Sequence, residues 1–262
     1  MPLGNLRLVV NFNAVRQGMR QMRLAALFSG GKDSTFAILK AIESGHSVVC
    51  LIGARPPSDE SMLFHYPNAG ITRYQAKAMQ LPIIEFEAGS AMQPAATGEI
   101  EKQGLEIAVR KAVSEFRIEG LVSGGIASNY QRVAFQSVCD STGLQLVSPL
   151  WQAEPLPYMR ELLERHFEVM IVSVSAMGLD KSWLGVVVDA ASLDRLAGFS
   201  AKYGFNLAFE GGEAETLVLD CPLFEKRLAV ISSRSHWDGQ RGMFEILEAA
   251  LLSKNKQESK HV

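Results

Sequence analysis

The residues best suited to chemistry form one short run, Ser29-Gly30-Gly31-Lys32-Asp33-Ser34, lying between the apolar stretch Leu24 to Phe28 and the helically spaced apolar residues of Ser34 to Glu43. A strand feeding a helix through such a loop gathers free backbone N–H groups and the positive helix end, so it binds an anion at little cost. Gly30 and Gly31 permit backbone conformations closed to other residues and let the chain approach an oxyanion closely. Lys32 adds a positive charge. Asp33 or Ser34 can cap the helix, and Asp33 can help hold Mg²⁺ beside phosphates. Neither G-x-x-x-x-G-K-[ST] nor G-x-G-x-x-G occurs, which disfavours an ordinary P-loop motor or a dinucleotide dehydrogenase. A second run, Glu210-Gly211-Gly212-Glu213-Ala214-Glu215-Thr216, sets three carboxylates just before the apolar Leu217-Val218-Leu219. Acidic residues beside glycines usually form a solvated turn, but a turn rarely continues into a buried strand, which favours function for the glutamates.

The elements that must position these residues follow a regular rhythm. Ser47 to Ala54 reads as a second strand, Thr72 to Met79 as a helix and Pro82 to Phe86 as a third strand. Gly104 to Phe116 reads as a helix, Gly120 to Ser123 as a strand, Tyr130 to Thr142 as a helix and Leu144 to Pro149 as a fifth strand. Unalternating apolar strands separated by helices predict an α/β fold, a parallel five-stranded sheet with helices on both faces. Phe64-His65-Tyr66-Pro67-Asn68 and Gly124 to Arg132 then follow strand ends, where ligands bind in such sheets. Beyond Trp151 the pattern changes: a helix from Pro155 through Arg165, a strand from Glu168 to Ser175, a helix from Leu193 to Tyr203 and a strand from Arg227 to Ser232. Met243 to Leu252 suits a helix by propensity, yet Phe244 and Ile246 beside Gly242 also suit a strand. The expected organisation is a flexible extension over 1–22, a nucleotide-binding domain over 23–150, a smaller C-terminal α+β substrate domain over 151–252 and a tail over 253–262.

Composition sets the outer limits. With 262 residues, 47% of them hydrophobic, the chain can bury a full core. A formal net charge of -2 without a long Lys/Arg run argues against general adhesion to nucleic acid or an anionic membrane. No stretch approaches the roughly 20 apolar residues of a spanning helix, and Leu8 to Phe12 is too short an apolar run for a usual secretory signal. Cys50, Cys139 and Cys221 are odd in number and show no C-x-x-C spacing, so they read as reduced, buried thiols in a cytoplasmic protein. Composition leaves the oligomeric state open.

From about Leu24 to Leu150 the chain resembles the N-type ATP pyrophosphatases, carried by the S-G-G-x-D-S loop, which implies an adenine nucleotide alpha hydrolase-like, Rossmann-like sheet. The resemblance implies that Ser29 to Ser34 hold the pyrophosphate portion of ATP and that Gly53 and Ala54 lie near adenine. With E-G-G-E-x-E-T-x-V-x-D-x-P-x-F at Glu210 to Phe224 added, nearly all of Leu24 to Leu252 resembles the diphthine-ammonia ligase (diphthamide synthase) family. That likeness implies adenylation of the carboxylate of diphthine, a modified histidine on translation elongation factor 2. Ammonia then displaces AMP to give diphthamide, with ATP and Mg²⁺ as cofactors. It implies catalytic roles for Lys32, Asp33, Glu213 and Glu215. It further implies substrate contacts from Ser128, Tyr130, Gln131, Arg132, Glu210, Gly211, Gly212 and Thr216. The glutamates could bind the trimethylammonium of diphthine, capture ammonium or accept its proton, and the sequence does not apportion these roles. His65, within the F-H-x-P-N match, reads equally as a nucleotide-site residue and as an ordinary loop histidine, and Trp151 and Trp183 read as packing before cage. Relatives usually continue Y-Q-R with a basic residue, an apolar one and a glutamate, where this chain has Ala134-Phe135-Gln136. Tyr66 also replaces a smaller residue. The alternative is a related ATP pyrophosphatase acting on another carboxylate or on tRNA.

Overall fold

The computed structural model describes residues 20–55, 70–87 and 94–254. His65 and Tyr66, most of the 1–22 extension and residues 255–262 lie outside them. Five strands, β1 (Arg23–Leu27), β2 (Ser47–Arg55), β3 (Ile83–Glu87), β4 (Gly120–Val122) and β5 (Gln145–Val147), form one sheet in the order β3-β2-β1-β4-β5. Every pairing in it is parallel. The connecting helices are α1 (Lys32–Glu43), α2 (Ile71–Ala78), α3 (Pro94–Phe116) and α4 (Asn129–Thr142). The strands can be unalternating because helices cover both faces: Ala25, Cys50, Ile52 and Leu121 pack on α3 and α4 residues such as Val109 and Val138, whereas Leu24, Ala26 and Leu51 join a cluster that includes Phe36 and Leu39 of α1. The strand order reverses between β1 and β4, so a crevice opens at their carboxyl ends, where both β1 and β4 hand the chain to a helix.

The remainder comprises α5 (Pro155–Glu164), β6 (Glu168–Val174), α6 (Ala190–Tyr203), β7 (Ala214–Asp220), β8 (Lys226–Trp237) and β9 (Gly242–Ser253). Its four strands make an antiparallel sheet in the order β7-β6-β9-β8. Met243 to Leu252, open to either reading from sequence, is strand. Its residues pair with β8 from Gly242 opposite Trp237 to Ser253 opposite Lys226, and this pairing overrides the helical preference of Leu, Glu and Ala. Two other elements run longer than their periodicity indicates, α3 starting at Pro94 and β8 ending at Trp237.

The two sheets share a core. The largest buried cluster joins Leu24, Phe36 and Leu51 to Tyr158, Leu196, Val218 and Phe224. Phe36 packs edge-on against Phe167, and Lys40 of α1 pairs with Glu161 of α5 at 2.6 Å. At the chain's described ends, Arg20 pairs with Glu119, Met22 packs on the core, and Lys254 pairs with Asp220 at 2.6 Å. The three cysteines are buried and unbridged; burial pushes Cys50 and Cys221 up to about 12 and Cys139 up to about 11, which leaves them inert as thiols. Among the described residues no helix is long and apolar enough to cross a membrane.

Candidate active site

The crevice at the β1/β4 switch point deepens into a cavity of about 790 Å³. Its floor is the loop after β1. Gly31 sits at the N-cap of α1 in an extended conformation, its carbonyl accepting from Thr35 N and Thr35 Oγ1, while Ser29 and Ser34 share a hydroxyl contact of 3.1 Å. The first-turn amides of Asp33 and Ser34 have no intrahelical acceptor, as at any helix start, whereas that of Lys32 donates to Thr216 Oγ1. The loop after β4 comes against this helix start so closely that a Cβ on Gly124 would stand 2.6 Å from the Asp33 carbonyl carbon. Only glycine fits there.

Strand β7 closes the loop from the other side. Thr216 Oγ1 accepts from Lys32 N at 3.2 Å, and Val218 N donates to Gly30 O at 3.1 Å. Lys32 itself is only 2% exposed. Its Nζ donates to Ala208 O at 2.6 Å and to Asp33 Oδ2 at 2.9 Å, and it lies over the rings of Phe209 and Tyr158 at 5.5 and 5.9 Å. A buried ammonium needs such compensation. Asp33 Oδ1 accepts from the Tyr158 hydroxyl at 2.5 Å. Burial, reinforced by the Asp33 charge, pushes the Tyr158 phenol well above its ordinary value, so it stays a donor. Phe209 holds a positive φ of 62°, unusual for a bulky side chain, just where it meets Lys32.

The three glutamates of the acidic run have separate surroundings. Glu213 binds its own loop: Oε1 accepts from Asn206 N at 2.9 Å and Oε2 from Gly211 N at 2.7 Å. Glu210 Oε2 accepts from Ala127 N at 3.0 Å, tying this run to the loop after β4. Glu215, on β7, lines the cavity and has neither a hydrogen bond nor an ion pair among the described residues. The residue is exposed at the cavity wall, and partial desolvation by the surrounding protein raises its carboxyl above the usual glutamate value.

The cavity brings together Ser29, Gly31, Lys32, Asp33, Ser34 and Ala54 with Ser128, Tyr130 and Gln131 of the α4 start, and with Glu210, Gly212, Glu215 and Thr216. It does not bring Gly30, Gly53, Gly211, Glu213 or Arg132 to its wall. Gly30 lies behind the loop, Gly53 packs toward Ile83, and Arg132 stacks on Trp151 at 4.7 Å on the opposite face of α4, where Gln136 also bonds Asp140 at 2.8 Å. Ala134 and Phe135 do line the cavity, so that part of its wall is apolar. Tyr158, Phe209 and Lys102 had no motif to announce them, and the place of Phe209 directly before the acidic run is the one sequence signal among them. Gly124 opens the stretch to Arg132 expected beyond a strand end, but nothing in the sequence announces its close approach to α1. Phe86, Ile52 and Leu105 give the β2–β3 side of the cavity an apolar lining suited to a flat base.

Asp33 is the carboxylate at the wall beside the loop after β1, its Oδ1 accepting from Tyr158 and its Oδ2 from Lys32, so it could hold a magnesium ion only alongside oxygens of a bound ligand. Among the described residues no three His, Cys, Asp or Glu side chains cluster as metal ligands.

Models of two protein-family domains match the chain, the diphthamide synthase N-terminal domain over residues 22–146 and the diphthamide synthase C-terminal domain over residues 154–252. The diphthine-ammonia ligase of Homo sapiens is 37% identical over 226 residues, covering 81% of this chain and 84% of the human one. That of Rattus norvegicus is 36% identical over 230 residues, covering 82% and 85%. Among solved structures, a predicted subunit of tRNA methyltransferase from Methanocaldococcus jannaschii aligns over 76% of this chain and 97% of its own, at 14% identity and a TM-score of 0.38, a likeness too distant to bear on function.

Proposed function

Because the chain belongs to the diphthamide synthase family, we propose that it amidates diphthine on translation elongation factor 2, using ATP and ammonia and releasing AMP and pyrophosphate. The observation that carries this reading is the seating of the E-G-G-E-A-E-T run and the strand it enters directly on the phosphate loop, through Thr216 to Lys32 and Val218 to Gly30. One cavity then holds an anion cradle and an uncommitted carboxylate, the two devices an acyl-adenylate route to an amide needs.

In this reading the diphthine carboxylate oxygen attacks the α-phosphorus of ATP, and pyrophosphate leaves into the amides of Ser29 to Ser34. Lys32 and the helix start offset the charge that develops on it. Magnesium, when bound, adds charge neutralisation at the phosphates, with Asp33 on its protein side. Ammonia nitrogen then attacks the acyl carbon, AMP departs, and Glu215 takes the proton that the nitrogen must lose, as its raised carboxyl and free lone pairs suit. Glu210 and Glu213 act on this site through the loops they hold. Ala54, with the apolar β2–β3 side, receives adenine, and Tyr130, Gln131 and Ser128 face the incoming side chain. The elongation factor docks over the open side of the cavity, and the reaction belongs to the cytoplasm, with translation. Family membership disfavours a tRNA target.

The test is an assay with ammonium, ATP and diphthine-bearing elongation factor 2. AMP should form in step with a mass change of one carboxyl to one amide on the factor. Formation of ADP, or AMP formation independent of the factor, would remove the reading.

A further inference from the structure

Gln75 of α2 is fully buried, although it sits among exposed polar residues in the sequence. Its Nε2 donates to two carbonyls from distant parts of the chain, Gly30 O at 2.9 Å and Val218 O at 2.8 Å. The same Gly30 oxygen accepts from Val218 N at 3.1 Å. Neither Gln75 nor Val218 lines the cavity, so the carbonyl of this phosphate-loop residue is held by two donors on the far side. All described peptides are trans, and in a trans peptide the C=O and the following N–H point in opposite directions. Holding the Gly30 carbonyl therefore turns the Gly31 N–H the other way, where its nearest acceptor is Ser29 Oγ at a weak 3.4 Å.

That peptide is the one most free to flip, because it joins two glycines. Flipped, it would present an oxygen to an incoming oxyanion. The side-chain amide of Gln75 has one sensible orientation, since reversing it would set Oε1 against two carbonyls. In that orientation Oε1 is buried without a partner, facing Gly30, where a Cβ would stand 2.3 Å away. A buried orphan acceptor is destabilising, and its retention beside a ligand loop calls for a reason other than stability.

We propose that Gln75 is a positioning residue for ATP: by fixing the Gly30 carbonyl it keeps the Gly31 N–H aimed at the pyrophosphate portion of the nucleotide. Through Val218 it joins that orientation to the strand bearing Glu215 and Thr216. The inference rests on the reading of Ser29 to Ser34 as the phosphate cradle.

Calorimetric titration of the full chain with α,β-methylene-ATP and with AMP, both with magnesium, tests it. Gln75→Ala should weaken the ATP analogue roughly tenfold while AMP, which places nothing against the Gly31 amide, changes less than about twofold. Gln75→Glu keeps the shape, removes at least one donor and should show the same selective loss. Parallel weakening of both ligands would mark Gln75 as a structural staple and overturn the inference, as would an unchanged affinity for the analogue in either variant. Wild-type protein that binds the analogue no better than AMP would instead remove the phosphate-cradle reading, and this inference with it.

Discussion

Glu210, Glu213 and Glu215 lie within one short run, and their partners separate them: a distant amide at Ala127, two local amides at Asn206 and Gly211, and none among the described residues. The sequence marked the run as acidic and favoured a function for it, but which carboxylate stays free depends on where amides from other loops arrive, and no local pattern encodes that. Glu215→Gln should lower amide formation by at least about a hundredfold, the usual scale for losing a proton acceptor. The wild-type rate should rise with pH through a value above that of an ordinary glutamate, and the variant should lack this limb. Stability should move the other way. The folded chain holds the Glu215 proton more tightly than the unfolded chain does, so this residue's contribution to stability falls as pH rises through that range. Glu215→Gln should therefore melt higher than wild type at pH 7, with the difference closing in acid, as differential scanning fluorimetry across pH would record. Glu213→Ala, by contrast, strips two partly solvated amides of their acceptor and should cost about 1 kcal/mol, read from urea unfolding.

At the scale of elements, the parallel sheet was legible because each strand is a short apolar run closed by glycine or proline and each helix repeats at 3.6 residues. β9 was not, since Leu, Glu and Ala favour a helix in isolation and only the facing β8 decides otherwise. The turn from β1 into α1 was legible from its own residues, and so were α2 as a helix and Gly124 to Arg132 as a stretch beyond a strand end, but not that α2 shapes the turn from behind and the loop after β4 limits it from the side. Gly124 shows why: its requirement comes from a backbone far away in sequence, at Asp33 and Ser34. Gly124→Ala should push that loop off the start of α1, costing about 1–3 kcal/mol by overpacking, and should abolish measurable binding of an ATP analogue in calorimetry.

For the molecule as a whole, a break near residue 150 follows from the change of element pattern, but the sequence gives no sign that the two sheets bury one core between them. That core forms because α5 returns to pack on α1 and β7 lies along the phosphate loop. A fragment ending at residue 150 would lose Tyr158, Ala208 and Thr216 together, leaving Lys32 and Asp33 with only each other as partners. It should be expressed unfolded or aggregated, show no cooperative thermal transition by circular dichroism, and bind no nucleotide. The burial of Lys32 also decides what can reach it from outside. An amine this enclosed is shielded from acyl donors, so brief acetic anhydride treatment followed by peptide mass mapping should mark Lys111 and Lys226 early and leave Lys32 unmodified until the protein unfolds. A positive charge in the wall of the cavity is thereby kept out of reach of the reactive acyl compounds that decorate exposed lysines.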